Sequence, residues 1–302
     1  MKRLGMLVLM SLFSSQLLAG YLFVEGKFDP AKKWVEFSQD EKLNLKNLLQ
    51  KLAQSKSGKK LIKMAGRKAK ESGSELYHII SSGRGSLTDT TLVRRFSVGK
   101  PNDVVYEEKS KVFLNKELTQ YDALLDLAHE LTHYVYRENF NPYIKNFTLS
   151  EFIAKTIEGK GGEVQAFLME CQVHYELFNN YNYGRYQCSK IIDPTSGKLS
   201  FDLAVKQFYK VGRYFESFQQ ILGQHGIKGK FPDVSSDKAS FVSSAYGIPY
   251  PVAAFEEYLS VVSKVCENDK RRLRFFKKAP QRSLASISDF EEKYKKRCKD
   301  FL

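Results

Sequence analysis

His129 and His133 stand four residues apart with Glu130 next to the first of them, inside Leu124–Arg137, a stretch whose apolar residues recur at helical spacing. On a helix, residues i and i+4 share a face, about 40° from alignment at roughly 100° per residue. Both imidazoles can then bind one metal ion. Glu130 points to one side of the pair, where a metal-bound water would sit, and is placed to act as general base. Only five histidines occur in 302 residues, and two of them fall in this pentapeptide. Leu124, Ala128, Leu131 and Val135 supply the apolar stripe of the helix, bordered by Leu127, while His129, His133, Asp126 and Arg137 lie on another flank. The core is filled without the histidines, which leaves them for chemistry.

A catalytic zinc site takes three protein ligands and keeps one position open. Glu163 is the choice for the third. It opens a second helix, Glu163–Asn179, and Ala166 one turn on is small enough to let that helix approach the first. Glu158, Glu151, Glu170 and His174 are the alternatives. Glu170 and His174 share a face with Glu163 but lie roughly 10 and 16 Å further along the helix, so they cannot all serve one ion. A developing oxyanion needs a donor beyond the metal. Tyr246 is the candidate, ahead of Tyr250, Tyr183 and His225. Asp126, one turn before His129, could orient an imidazole, but reads rather as a water-exposed helix acid.

With these residues, Lys111–Cys171 resembles the zincin metallopeptidases, in particular those with glutamate as third ligand, the gluzincins. His-Glu-Leu-Thr-His is the form found in thermolysin-like members. The form extended by a third histidine is absent, since position 139 is asparagine. The resemblance implies one catalytic Zn²⁺ held by His129, His133 and Glu163, with Glu130 as base. It also implies an extended substrate added to a strand that precedes the motif helix, a role assigned to Lys111, Val112, Phe113 and Leu114.

The elements around the motif divide the chain in three. Residues 1–20 have the form of a signal peptide: Lys2 and Arg3, an apolar Leu4–Phe13, and Ala19-Gly20. Residues 21–72 form an N-terminal helical segment, with helices over Gln39–Gln54 and the lysine-rich Lys59–Lys70. Residues 73–302 form the catalytic part. There Leu76–Ile80, Thr91–Val98, Val104–Tyr106 and Lys111–Leu114 read as short strands, with turns at Gly99-Lys100-Pro101 and Asn102-Asp103. The motif helix, starting near Asp122, follows. Beyond it lie Ser150–Ile157, a loop over Tyr181–Tyr186, and helices Phe201–Leu222, Val252–Cys266 and Ser288–Cys298. The expected class is α+β, a small mixed or antiparallel sheet packed on the motif helix and a mostly helical second half.

Formal net charge is +14, or +12 once Lys2 and Arg3 are cleaved. The basic surface suits an anionic cell wall or membrane. No nucleic acid is expected, because a lysine-rich helix face is ordinarily a solvated one. Cys171, Cys188, Cys266 and Cys298 show no C-x-x-C spacing, which excludes a cysteine zinc site. In an exported chain they pair as disulfides, and proximity favours Cys171–Cys188 with Cys266–Cys298. Asn146-Phe147-Thr148 is a formal glycosylation sequon. The sequence points to an exported zinc peptidase acting on peptides or proteins. An amidase acting on cell-wall peptides, and a non-catalytic binding protein with a degenerate site, are the other readings.

Overall fold

Glu130 and both histidines lie on a helix buried on several sides, and the fold is best followed outward from it. The computed structural model describes residues 28–96, 104–138, 140–143, 147–178, 186–278 and 284–299. The expected signal peptide, the turns at 99–103, Asn146 and the tyrosine loop at 181–185 lie outside them. The elements are α1 (Glu41–Leu52), α2 (Lys56–Glu71), α3 (Leu76–Ile79), β1 (Ile80–Gly83), β2 (Leu87–Phe96), β3 (Val104–Asn115), α4 (Gln120–Tyr136), α5 (Leu149–Ile157), α6 (Glu163–Leu177), α7 (Tyr186–Ser189), α8 (Phe201–Phe208), α9 (Phe215–Gln224), α10 (Tyr250–Lys278) and α11 (Leu284–Arg297). The class is α+β with one small mixed sheet, as the sequence suggests.

The sheet has the order β1-β3-β2, with β1 parallel and β2 antiparallel to β3. This corrects one expectation. Lys111–Leu114 is not an edge: Val112, Phe113 and Leu114 pair with Ile80–Ser82 on one side and with Leu87 and Thr88 on the other, and Lys111 pairs with Asp89. The edge strands are β1 and β2, and β2 is the one that meets Glu130 of the motif helix. The two short runs Val104–Tyr106 and Lys111–Leu114 are one strand, β3. Its middle escaped detection because the outer β2–β3 ribbon has solvent on both faces, so no apolar alternation marks it; Val105 is 60% exposed. Where the ribbon meets the body, Val112 and Leu114 are fully buried against α4.

Helix α4 starts one turn earlier than Asp122 suggests. Thr119 is its cap, accepting from the Asp122 backbone N–H while its hydroxyl donates to the Asp122 carboxylate at 2.8 Å. Leu124, Leu125, Leu127, Ala128 and Leu131 have no exposed surface. They share one core with α1, α2 and the sheet, while α5, α6, α8, α9 and the start of α10 build a second. The expected helix Phe201–Leu222 is two helices, α8 and α9. Helix α8 ends at Phe208, the Tyr209 carbonyl and the Val211 N–H bond to Ser235 instead, and Gly212 turns the chain with φ +55° before α9.

The disulfides are Cys171–Cys188, from α6 to α7, and Cys266–Cys298, from α10 to the end of α11. No helix among the described residues is long and apolar enough to cross a membrane. Beside the second disulfide, Asp269 is fully buried and binds two arginines, Arg94 of β2 at 2.9 Å and Arg297 of α11 at 2.6 Å. Arg297 also donates to the Tyr143 carbonyl, and the Arg94 guanidinium stacks 3.9 Å from the Tyr143 ring centre. This triad ties the outer end of the edge strand to the C-terminal helix pair. Removing the shared carboxylate strands two poorly solvated cations, so Asp269→Ala is expected to lower unfolding free energy by about 3 kcal/mol in urea titration. A change within about 0.5 kcal/mol would contradict the role given to this triad.

Candidate metal centre

Helices α4 and α6 cross where the motif histidines meet the first turn of α6. Glu163 Oε2 lies 3.3 Å from His129 Nε2, and Glu163 Oε1 lies 3.4 Å from His133 Nε2. One ligand atom from each of the three residues lies within 4.8 Å of the others. His129, His133 and Glu163 therefore form the cluster expected from spacing, and it can hold a metal ion.

The other ring nitrogens fix the imidazoles. His133 Nδ1 donates to the Gly161 carbonyl at 2.7 Å, and His129 Nδ1 lies 3.2 Å from Glu170 Oε2. Both Nε2 atoms are thereby directed at Glu163, the arrangement a two-histidine metal site requires. Glu170, two turns beyond Glu163 on the same face, takes the orienting role. Its place on that face is legible in the sequence; which nitrogen it meets is not.

The approach depends on the Gly159–Gly162 turn. Gly161 has φ +68°, and a Cβ there would fall 2.1 Å from the Arg137 backbone nitrogen. Only glycine fits both the conformation and the space. Its N–H donates to the Gln165 side chain at 2.6 Å. The segment is a packed turn, and the Gly161 carbonyl is part of the site.

Charge is concentrated here. Burial would raise the Glu163 carboxyl, yet His133, His129 and the Arg137 guanidinium, 2.9 Å away, hold it well below the usual carboxylate range. Burial alone would lower the His129 imidazole, but its hydrogen bonds to Glu163 and Glu170 outweigh that and hold it well above the ordinary histidine value. Arg137 was visible as the next residue along the histidine face, four positions after His133; its contact with Glu163 was not expected.

Glu130 is buried, 6% exposed, and faces the sheet rather than α6. The Thr88 hydroxyl lies 2.8 Å from its Oε2 and 2.9 Å from its carbonyl oxygen. Thr88 sits on β2, so the edge strand and the candidate base are in contact. No sequence signal singled out Thr88, because the pairing depends on how the sheet docks.

A cleft of about 470 Å³ opens over these groups. It is lined by β2 from Leu87 to Thr90, by His129, Glu130, His133 and Glu163, and opposite by Tyr246, Tyr250 and Glu257. Tyr246 is on the exposed rim, 43% accessible. Tyr250, the first residue of α10, lines the same cleft beside Glu163. Burial first, then the charges of Glu163, Glu130 and Glu170, push its hydroxyl well above the usual tyrosine value, so it stays a donor. The remaining candidates lie elsewhere. Glu158 accepts from Tyr209 at 3.0 Å, Glu151 is exposed on α5, His174 pairs with the Tyr121 hydroxyl at 2.8 Å, and His225 is exposed beside Phe255.

Compared with protein-family models, curated proteins and solved structures, the chain matches none.

The geometry separates two glutamates on one helix face. Glu163→Ala is expected to abolish stoichiometric zinc binding in competition titrations with a chromogenic chelator. Glu170→Ala is expected to keep the site but weaken it about 10–100-fold, the usual effect of removing an orienting carboxylate. A reversed order would make Glu170 the ligand.

Proposed function

We propose that this protein is an exported zinc-dependent peptidase of zincin type, with His129, His133 and Glu163 as ligands and Glu130 as general base. The observation that carries this proposal is the pairing of two features. Three metal-ligating side chains converge on one point, and a buried carboxylate beside them touches an edge strand of a sheet. A motif helix lying under a sheet, with an open edge strand along the cleft, is also the layout that the gluzincin resemblance implies. The strand in that position is β2, not Lys111–Leu114. A polypeptide substrate in extended form would add to β2 by backbone hydrogen bonds, with its scissile bond near Thr88.

The donor set of two imidazoles and a carboxylate suits Zn²⁺, which when bound would polarise the substrate carbonyl and lower the pKa of a coordinated water. The residues supply the rest. Glu130 accepts the proton of the attacking water as its oxygen bonds the carbonyl carbon. Thr88, by hydrogen-bonding the far carboxylate oxygen, holds Glu130 turned toward the cleft. Tyr250 donates to the oxygen that gains negative charge, the role first assigned to Tyr246. When the C–N bond breaks, Glu130 passes its proton to the leaving amine. His129 and His133 would hold the ion through Nε2, their rings oriented by Glu170 and the Gly161 carbonyl at Nδ1.

Glu130→Gln keeps the shape and removes the base. It is expected to leave zinc content unchanged and to lower kcat/KM on denatured protein substrates by roughly 10²–10⁴-fold, measured by mass spectrometry of the cleaved peptides. Tyr250→Phe is expected to cost about 10²-fold in kcat with little change in KM, while Tyr246→Phe stays near wild type. Full activity in Glu130→Gln would remove the peptidase assignment. Cleavage of purified wall fragments in place of proteins would move it to the cell-wall amidase class.

A further inference from the structure

Helix α2 carries a row of cations that form no ion pair with any described residue. Lys56, Lys59, Lys60, Lys63, Arg67 and Lys70 are all exposed. At roughly 100° per residue they fall within an arc of about 100°, and at 1.5 Å per residue they span about 21 Å. The opposite side of the helix is the buried one, Gly58, Leu61, Ala65 and Ala69, seated on α4 and α6. The row is thus held in place by a packed core and a capped start, where Ser55 accepts from the Gly58 N–H.

Several basic residues elsewhere on the surface sit against acids. On α11, Lys293 meets Asp289 at 2.6 Å and Lys295 meets Glu291 at 3.4 Å. Lys277 also reaches Glu291, Arg271 meets Glu267, and Lys33 meets Glu117 at 2.6 Å. Along α2 the single acid is Glu71 at the end, and the six cations of the row form no ion pair among the described residues. Lys68, off the row, lies over the Tyr134 ring. An unpaired row of like charge raises the energy of the isolated protein through self-repulsion and is relieved by an anionic partner.

We propose that this face of α2 docks the protein on a membrane surface through its anionic phosphate headgroups. A straight, uniformly charged helix face meets a plane along its whole length. The row holds no aromatic side chain to stack on bases and no asparagine or glutamine to read base edges, which disfavours nucleic acid. It also holds no large apolar side chain to insert, so contact is electrostatic and salt-sensitive rather than embedded. The two disulfides fit an oxidising compartment, where membrane surface is at hand. No residue of α2 lines the cleft, so docking leaves it open. The proposal does not depend on the metal centre.

The test is co-sedimentation of the full protein with vesicles of phosphatidylcholine alone or mixed with phosphatidylglycerol. The wild type is expected to pellet only with the anionic vesicles and to be released as salt rises from about 0.15 to about 0.5 M. Each surface cation contributes about fivefold, so removing three is expected to lose on the order of 100-fold in affinity, and reversing them in K60E/K63E/R67E more than that. K60Q/K63Q/R67Q, which keeps good helix formers, is expected to show a smaller loss in the same direction, with the unfolding midpoint confirming that both variants fold. K228E/K230E/K238E makes the same change in net charge away from α2 and is expected to bind like wild type. Equal losses in that control would reduce the effect to net charge and overturn the proposal. So would undiminished binding by the α2 variants, failure of the wild type to bind anionic vesicles, or a DNA duplex that displaces the vesicles at matched charge.

Discussion

The hydrogen bond from His133 Nδ1 to the Gly161 carbonyl, 2.7 Å long, ties the last turns of α4 to the turn that starts α6. The site depends on that closeness. If α6 stood further off, Glu163 would miss both Nε2 atoms, and Glu170 would no longer reach His129. Two features permit it: the left-handed glycine that brings its backbone onto Arg137, and the small, fully buried Ala166 one turn into α6. Cys171–Cys188 then holds the middle of α6 to the chain that follows.

The chemistry was legible in the sequence where helical periodicity carries it. The i, i+4 histidines, the adjacent glutamate and the helix-opening Glu163 need only the 3.6-residue repeat to be placed on faces, and they meet as that repeat implies. Sequence proximity was also sufficient for both disulfides. What escaped was set by long-range docking. Which strand forms the edge depends on how three strands order themselves, and Lys111–Leu114 is as apolar as a central strand should be. Thr88, Tyr250 and the Gly161 carbonyl join the site through contacts between elements far apart in sequence. Helix ends differ from the spacing where a neighbouring residue offers a better cap, as with Thr119 in place of Asp122, or where the chain turns at Gly212 within a run of continuous apolar spacing.

Charge is handled in two ways in this molecule. Inside, carboxylates and cations compensate each other closely: Glu163 among two imidazoles and Arg137, and Asp269 between Arg94 and Arg297. The second cluster also fixes the far end of β2, the strand whose near end touches Glu130. Outside, most of the basic residues on α10 and α11 that meet an acid do so within a turn or across the helix pair, whereas those of α2 do not. Buried compensation keeps the site's geometry, and the uncompensated row is available to a partner.

The central claim is that one ion sits among His129, His133 and Glu163. Its most direct test is an anomalous difference map, collected on either side of the zinc absorption edge, from crystals grown with zinc. A single strong peak is predicted at about 2.0–2.2 Å from both Nε2 atoms and from a Glu163 oxygen, with Glu170 remaining on His129 Nδ1. A peak bonded to Glu170, a peak elsewhere on the chain, or no peak at this cluster would contradict the account.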